Sequence, residues 1–537
     1  MSLSRPPLTP IGPELMRNSM WKKSIKNAGL ITLLALSPAL GFVACTDLTE
    51  SPTSAIAPEN FYRTEAEVIG GLASVYAQLR QVTEAYYNVT EVSSDEYIVP
   101  TRGTDWYDGG KWLELDRQTW GPDSQSSGEL NGAWSALFGG VARANGALEA
   151  VEKVNFPSKP AVQAELRTLR AFYYFLLQDL FGGVPIVEKT ILVAPDGNTR
   201  AQVFSFIESE LNAARPALPE KWSADMHGRM TKGAADAILA SLYLNARVFS
   251  GTVTATGLTP GAAKWQEAVD ASDRIISSGT YSLASNWQSN FTASNHQSPE
   301  IILPVKFLNA TDLGLNFLMR ALHYNQYSPT PWNGFATIAE TYLAFDPQDQ
   351  RRQIFLEGQQ VNLVTGAPIN DNQGNPLVYT TDFPSRTGTA PGPDNTFDYA
   401  GVRIVKWPVD AARVQQNAGN DFAYFRLAEI YLIKAEALNE LGRTAEALLL
   451  VNQIRARVFA TPEPVPPTTQ AGFRDVILRE RLFELTAEGK RRQDLIRHGK
   501  FLLPWYNKLQ REPYRILMPI PQSQVEANPK LAQNPGY

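Results

Sequence analysis

The 537-residue sequence predicts a mostly α-helical protein, built on tetratricopeptide-like helix pairs, with one irregular, loop-rich insertion holding a few short strands. Three observations carry that expectation. Apolar residues recur at helical spacing through most of both halves of the chain. Two stretches, "ILASLYLNARVFSG … KWQEAVDASDRIISSG" and "EIYLIKAEALNELGRTAEALLLVNQIRARV", repeat one pattern: an Ala-rich helix, a glycine break, then a helix opening on a Glu-Ala pair (Glu267, Ala268; Glu446, Ala447). Small residues let antiparallel helices approach closely, which is the logic of the tetratricopeptide repeat. Between the two units, residues 282–423 are rich in Gly, Pro, Asn and Asp and lose the helical period.

The N-terminus reads as an export segment. From Met20 a basic stretch, "MWKKSIKNAG", precedes the apolar run "LITLLALSPALGFVA". That run is short of the ~20 apolar residues a membrane span needs and suits a signal-peptide core. Cys45, the one cysteine of the chain, follows small residues in an arrangement that resembles the bacterial lipobox, although Phe42 stands where leucine is usual. The expectation is a signal over 1–44, with Met16 or Met20 as alternative starts, then a lipidated Cys45 and a polar tether over 45–59.

The body divides into a helical region 60–281, the insertion 282–423 and a helical region 424–537. In the first, "NFYRTEAEVIGGLASVYAQLRQV" places Val68, Leu72, Val75, Tyr76 and Leu79 on one helical face, with Asn60 and Thr64 as N-cap candidates. The aperiodic "SSDEYIVPTRGTDWYDGGKWLELDRQTWGPDSQ" reads as a long loop. Helices follow at "ELNGAWSALFGGVARANGALEAVEKV" and "AVQAELRTLRAFYYFLLQDLFGGVPIV". The latter is apolar on nearly every side, hence buried, and ends at Gly182, Gly183 and Pro185. Trp120, Trp134, Tyr173 and Tyr174 belong to the core. Further helices lie at "AQVFSFIESELNAARPAL", "TKGAADAILASLYLNARVF" and "AKWQEAVDASDRIISSG". In the insertion, "PEIILPVKF" reads as a strand and "DNQGNP" as a turn, since it lacks the regular acidic ligands of a calcium loop. Helices return over 422–459 and 472–497, separated by "TPEPVPP". The basic run "EGKRRQDLIRHGK" reads as a solvated, ion-paired helix face.

Composition narrows the function. A formal charge of −5 and a pI near 5.7 leave no basic excess for nucleic acid. The four histidines lack metal-site spacing, so neither metal nor cofactor is expected. No GxSxG elbow or HExxH helix is present.

Several blocks in order resemble the SusD/RagB lipoproteins of bacterial outer membranes: "CTDLTESPTSAIAPENFYRTEAEVIGGLASVYAQL", "AELRTLRAFYYFLLQDLFGGVPIV", "AYFRLAEIYLIKAEALNELGRTAEALLLVNQIRAR", "ILRERLFELTAEGKRRQDLIRHGKF" and "LMPIPQSQVEANPKLAQNPGY". The resemblance covers residues 45–537. It implies a SusD-like helical fold with a variable insertion, a lipid anchor in the outer membrane, and a TonB-dependent, SusC-like transporter as partner, over whose barrel the protein sits as a lid. It also implies binding of an oligosaccharide or peptide without catalysis, and it makes the basic run "EGKRRQDLIRHGK" structural or transporter-facing as the alternative to a solvated face.

A sugar ring offers an apolar C–H face and a rim of hydroxyls, so its site needs exposed aromatics beside acids, amides and arginines. Two stretches qualify. The first carries Asp95, Glu96, Arg102, Asp105, Trp106, Tyr107 and Trp112; the second, "HYNQYSPTPWNGF", carries His323, Tyr324, Asn325, Tyr327, Trp332 and Asn333. In the resembling family, glycan contacts include an acid, an arginine and a tryptophan from the first region. The ligand candidates are therefore Asp95, Arg102, Trp106, Tyr107, Trp112, Tyr324, Tyr327, Trp332 and Asn333, on two loops that can converge on one face. The competing reading makes Trp106, Trp112 and Trp332 buried loop anchors. Two other function classes stand beside the binding protein: a glycoside hydrolase, which needs a carboxylate pair that nothing in the sequence selects, and a periplasmic tetratricopeptide scaffold, against which the aromatic-rich insertion argues.

Overall fold

The computed structural model describes residues 62–190, 193–388, 390–461 and 464–537. The export segment, Cys45 and the polar tether lie outside the described residues, as does Asn60. Helix α1 (Glu65–Gln78) starts where Thr64 and Glu67 form a reciprocal capping box. Helix α2 (Ala85–Val92) and the short α3 (Lys111–Asp116) follow; α3 interrupts the stretch expected to be all loop. Helices α4 (Ser127–Lys153) and α5 (Lys159–Phe181) pack along each other, and α1 lies on α4. Nearly every side chain of α5 from Val162 to Phe181 is buried, as its all-round apolar sequence requires. It stops where Gly182 adopts φ 74°. Trp120, Trp134, Tyr173 and Tyr174 are all core residues.

Helix α6 (Arg200–Ala214) covers α5, and α7 (Lys232–Leu244) leads through α8 (Ala246–Phe249) and the hairpin β1 (Thr252–Thr254)–β2 (Gly257–Thr259) to α9 (Trp265–Ser277). The paired helices α7 and α9 are the first repeat unit, and α12 (Leu427–Glu440) with α13 (Thr444–Arg455) is the second. The units join because α9 packs on α12. The internal repeat is thus a contiguous helical stack despite about 150 intervening residues of other structure.

The intervening segment holds β3 (Ile301–Val305), α10 (Phe317–Ala321), α11 (Ala339–Ala344), β4 (Phe355–Leu356), β5 (Gly358–Gln359), β6 (Val378–Tyr379) and β7 (Arg403–Ile404). Its strands form two-stranded antiparallel pairs, β4 with β7 and β5 with β6. The turn expected at 371–376 is present: the Asp371 carboxylate accepts the N–H groups of Gln373 and Asn375, both at 2.9 Å. Strand β3 pairs with β8 (Phe422–Arg426). Residues 422–426 were expected to open a helix; they extend instead because β3 supplies their hydrogen bonds, and α12 begins only at Leu427.

The expected helix over 472–497 is two, α14 (Gln470–Leu485) and α15 (Arg491–Arg497), broken where Ala487 and Gly489 take positive φ. A final α16 (Gln522–Ala527) precedes the C-terminus. The basic run is not a solvated face. Lys490, Arg491 and Arg492 are buried and pair with Glu429 at 3.2 Å, Asp95 at 2.7 Å and Asp179 at 2.9 Å. Carboxylates distant in sequence surround the run and replace its water. A second buried network ties the insertion to α14: Arg351 reaches Asp349, Glu480 and Glu484, while Arg426 reaches Glu300, Glu484 and Glu488. Among the described residues no helix is long and apolar enough to cross a membrane.

Candidate functional site

The two aromatic loops meet. Ile98 and Ala336 exchange both backbone hydrogen bonds, at 2.8 and 2.9 Å, which sets residues 98–112 beside 324–336. Asn333 is the hub of the junction. Its carbonyl accepts from Arg102 Nε at 2.7 Å, its Oδ1 from Arg403 Nη2 at 2.9 Å, and its Nδ2 donates to the Asp398 carbonyl at 2.9 Å. Both arginines are buried. Burial, together with the two guanidinium charges, pushes the His323 pKa down to about 4, so His323 is neutral at pH 7.

Trp106 lies at the same junction, against the 332–334 segment. Its backbone holds φ 60°, unusual for a bulky residue, and its indole N–H donates to the Trp332 carbonyl at 2.5 Å. Beneath it, Trp112 and Phe335 stand with ring centroids each 5.9 Å away. Gly334 makes the approach feasible, because a Cβ there would sit 2.4 Å from the Trp106 ring. Trp332 is half-buried and packs on the cluster of Leu318, Met319, Leu322 and Tyr327. Tyr324, also half-buried, donates its hydroxyl to the exposed Asp105 carboxylate; burial and that carboxylate both raise the Tyr324 pKa.

The sequence-selected residues separate into two groups. Trp106, Tyr107, Tyr324 and Trp332 keep exposed surface, with Tyr107 59% accessible. Arg102, Trp112, Tyr327 and Asn333 are buried and hold the loops: Trp112 donates to Asp108 at 2.8 Å, and the Arg413 guanidinium stacks 4.3 Å from the Tyr327 centroid. Asp95 stands apart, its carboxylate gripped on both oxygens by Arg491. For Trp112 the anchor reading is the one the burial supports.

The structure adds a polar arm from the insertion. The Asp398 carboxylate accepts from Arg386 and, at 3.3 Å, from Asn372, and Asn372 in turn accepts from Asn325 at 3.4 Å. The Arg386 guanidinium lies 5.4 Å from the centroid of Phe397, which stacks on Tyr399 at 5.3 Å. Arg386, Asn372 and Asp398 carried no sequence signal, since they stand in turn-rich sequence without period. Fixed aromatic planes beside amides, a guanidinium and carboxylates can take the faces and hydroxyls of sugar rings.

Two family models match, one described as the SusD family over residues 276–512 and one described as starch-binding associating with outer membrane over 50–244. The chain belongs to the SusD/RagB family. Among SusD-family relatives it is 26% identical to SusD-like protein P25 of Formosa agariphila, over 91% of this chain and 96% of that one. It is also 26% identical to the starch-binding protein SusD of Bacteroides thetaiotaomicron, over 84% and 85%. Solved structures share the SusD-like helical fold. A laminarin-binding SusD-like protein has a TM-score of 0.68 at 24% identity, covering 88% of this chain and 100% of that one. Surface glycan-binding protein A of Bacteroides thetaiotaomicron, in complex with laminarihexaose, has 0.69 at 19%, covering 88% and 99%.

Proposed function

We propose that this SusD-family chain binds an oligosaccharide on the face formed by Trp106, Tyr107, Tyr324 and Trp332, with Asp105, Asn325, Asn372 and Arg386 as hydroxyl partners. The observation that carries the reading is the Trp106–Trp332 hydrogen bond, which holds two loops as one aromatic surface. Prefixed aromatic planes lose little conformational entropy on binding. The starch, laminarin and laminarihexaose named for its relatives support a glycan over a peptide. Binding without turnover is the further expectation: the face carboxylates Asp105 and Asp398 are engaged by Tyr324 and Arg386.

In this reading Cys45 carries the lipid, residues 45–59 tether the body to the outer membrane at the cell surface, and a SusC-like TonB-dependent transporter receives the glycan beneath the protein, which acts as its lid. Residues 60–281 and 424–537 are the helical scaffold, and 282–423 adapts the ligand face.

Titration of the purified chain with maltohexaose, laminarihexaose and their polymers tests the site. Saturable binding without product, lost in a folded Trp106→Ala/Tyr324→Ala/Trp332→Ala variant, is expected. Undiminished affinity in that variant refutes the site, and release of shorter sugars refutes the non-catalytic reading. Copurification of a barrel transporter with the membrane-extracted protein tests the partner.

A further inference from the structure

Away from the aromatic loops, residues 220–231 and 280–304 enclose a cavity of about 460 Å³. That volume lies within the roughly 300–1,000 Å³ range of small-ligand sites. None of its lining residues belongs to the loop face.

One wall is Trp222. Its indole N–H donates to the Met230 carbonyl at 2.8 Å, and the Arg229 guanidinium stacks 3.9 Å from its ring centroid. Arg229 is itself held by the buried Glu165 carboxylate, which Tyr76 also binds at 2.6 Å. A half-exposed indole is thus fixed in one plane by an arginine that a buried carboxylate holds. The opposite side carries Tyr281, whose hydroxyl lies 3.1 Å from Thr231 Oγ1, over the backbone of Gly233. Strand β3 contributes the apolar floor through Ile302 and Pro304.

The polar groups at the cavity are chiefly uncharged. Glu220 is paired with Lys232 and Lys306 with Asp421, which leaves Lys221 at the rim beside His227 and His296. Burial and the Lys306 ammonium both hold the His227 pKa down, so the ring is neutral at pH 7 and able to donate and accept. His227 Nε2 is 4.0 Å from Asp421 and makes no hydrogen bond among the described residues. A rigid indole, a tyrosine, an apolar floor and the neutral His227 imidazole suit a ring with one C–H face and a hydroxyl rim.

We propose that this cavity is a second saccharide site, taking a one- or two-ring stretch of a neutral glycan. It rests on the glycan reading of the loop face and extends it: two sites on one body let a polymer engage at both, which raises its affinity over that of either site alone.

The four histidines of the chain separate the outcomes. His227 and His296 line the cavity, and His323 packs beside Tyr324 at the loop face, ring centroids 5.2 Å apart. Their imidazole resonances, assigned with His→Gln variants, are followed while the full chain is titrated with maltohexaose and with laminarihexaose. Saturable shifts at His227 and His296 are expected, retained in the Trp106→Ala/Tyr324→Ala variant and weakened at least tenfold by Trp222→Ala. The exposed His296→Gln variant guards against misfolding, and a reduced His227 response there supports the site. Shifts confined to His323 overturn the second site and leave the loop reading standing. Silence of all four histidines with both sugars overturns both.

Discussion

The indole N–H of Trp106 and the backbone carbonyl of Trp332 lie 2.5 Å apart and join two loops separated by 226 residues. The hydrogen bond runs from a side chain to a backbone. The orientation of Trp106 therefore depends on the path of the 332–334 segment, and only the donor side of the pair can be deleted by substitution.

Trp106→Phe and Trp106→Ala separate the two roles of this residue. Phenylalanine keeps an aromatic plane and loses the donor, which costs about 0.5–1.5 kcal/mol of local order and lowers oligosaccharide affinity a few-fold. Alanine also removes the stacking surface, and affinity falls at least tenfold, or ~1.4 kcal/mol. Calorimetric titration with the best-binding hexaose measures both; equal affinities for the two variants contradict the stacking role.

Gly334→Ala reaches the same ring from the other side. The new Cβ would lie 2.4 Å from Trp106 ring carbons, so the indole must move, at a cost of about 1–3 kcal/mol. Both the melting temperature and the affinity should fall. In Trp106→Ala/Gly334→Ala the obstruction is gone, so the stability losses should be clearly non-additive.

The reach of the sequence was greatest where a signal is local. The helix pairs, the all-round burial of α5 and the Thr64 cap were legible because each needs only neighbours in sequence. Strand β8 was not: the apolar run around Phe422–Arg426 fits a helix or a strand equally, and the deciding partner, β3, lies more than a hundred residues away. The run at 490–497 misled for the same reason, since Glu429, Asp95 and Asp179 bury it from afar. At the site, Trp106 and Trp332 were recognisable as loop aromatics, whereas the inward turn of Arg102 and Asn333 and the arrival of Arg386 depend on tertiary packing alone.

Arg426→Met tests the network that ties β8 to α14. Arg426 contacts Glu300, Glu484 and Glu488, all fully buried. Removing it strands carboxylates in a water-poor interior, and a loss of about 3–5 kcal/mol at pH 7 is expected from denaturant unfolding. Burial alone would raise the Glu484 pKa, yet Arg457, Arg426 and Arg351 together hold it well below its usual 4.5. A carboxyl lowered in the folded state contributes stability above about pH 4.5 and loses it as pH falls further. The gap between wild type and variant should accordingly narrow below pH 4.5.

Glu91 and Glu96 behave in the opposite sense. Both are buried beside the 487–489 turn, where Glu96 accepts the Ala487 N–H at 2.7 Å and Glu91 the Gly489 N–H at 2.5 Å. Burial raises Glu91 to about 7, and burial together with the Glu91 charge raises Glu96 as well. Glu91 Oε2 makes no hydrogen bond to a described donor, an arrangement that suits a protonated carboxyl facing its neighbour. For a carboxyl raised in the folded state, the stabilising contribution is complete below the unfolded value near 4.5 and disappears as pH climbs to about 7. Glu91→Gln keeps the acceptor for Gly489, supplies a permanent N–H toward Glu96 and cannot ionise. It should match wild type at pH 5 and exceed it at pH 8 by an amount of the order of 2 kcal/mol. Chemical denaturation of both proteins at the two pH values measures this directly, and a variant equally destabilised at pH 5 and pH 8 would show that the pair does not hold a proton in the folded chain.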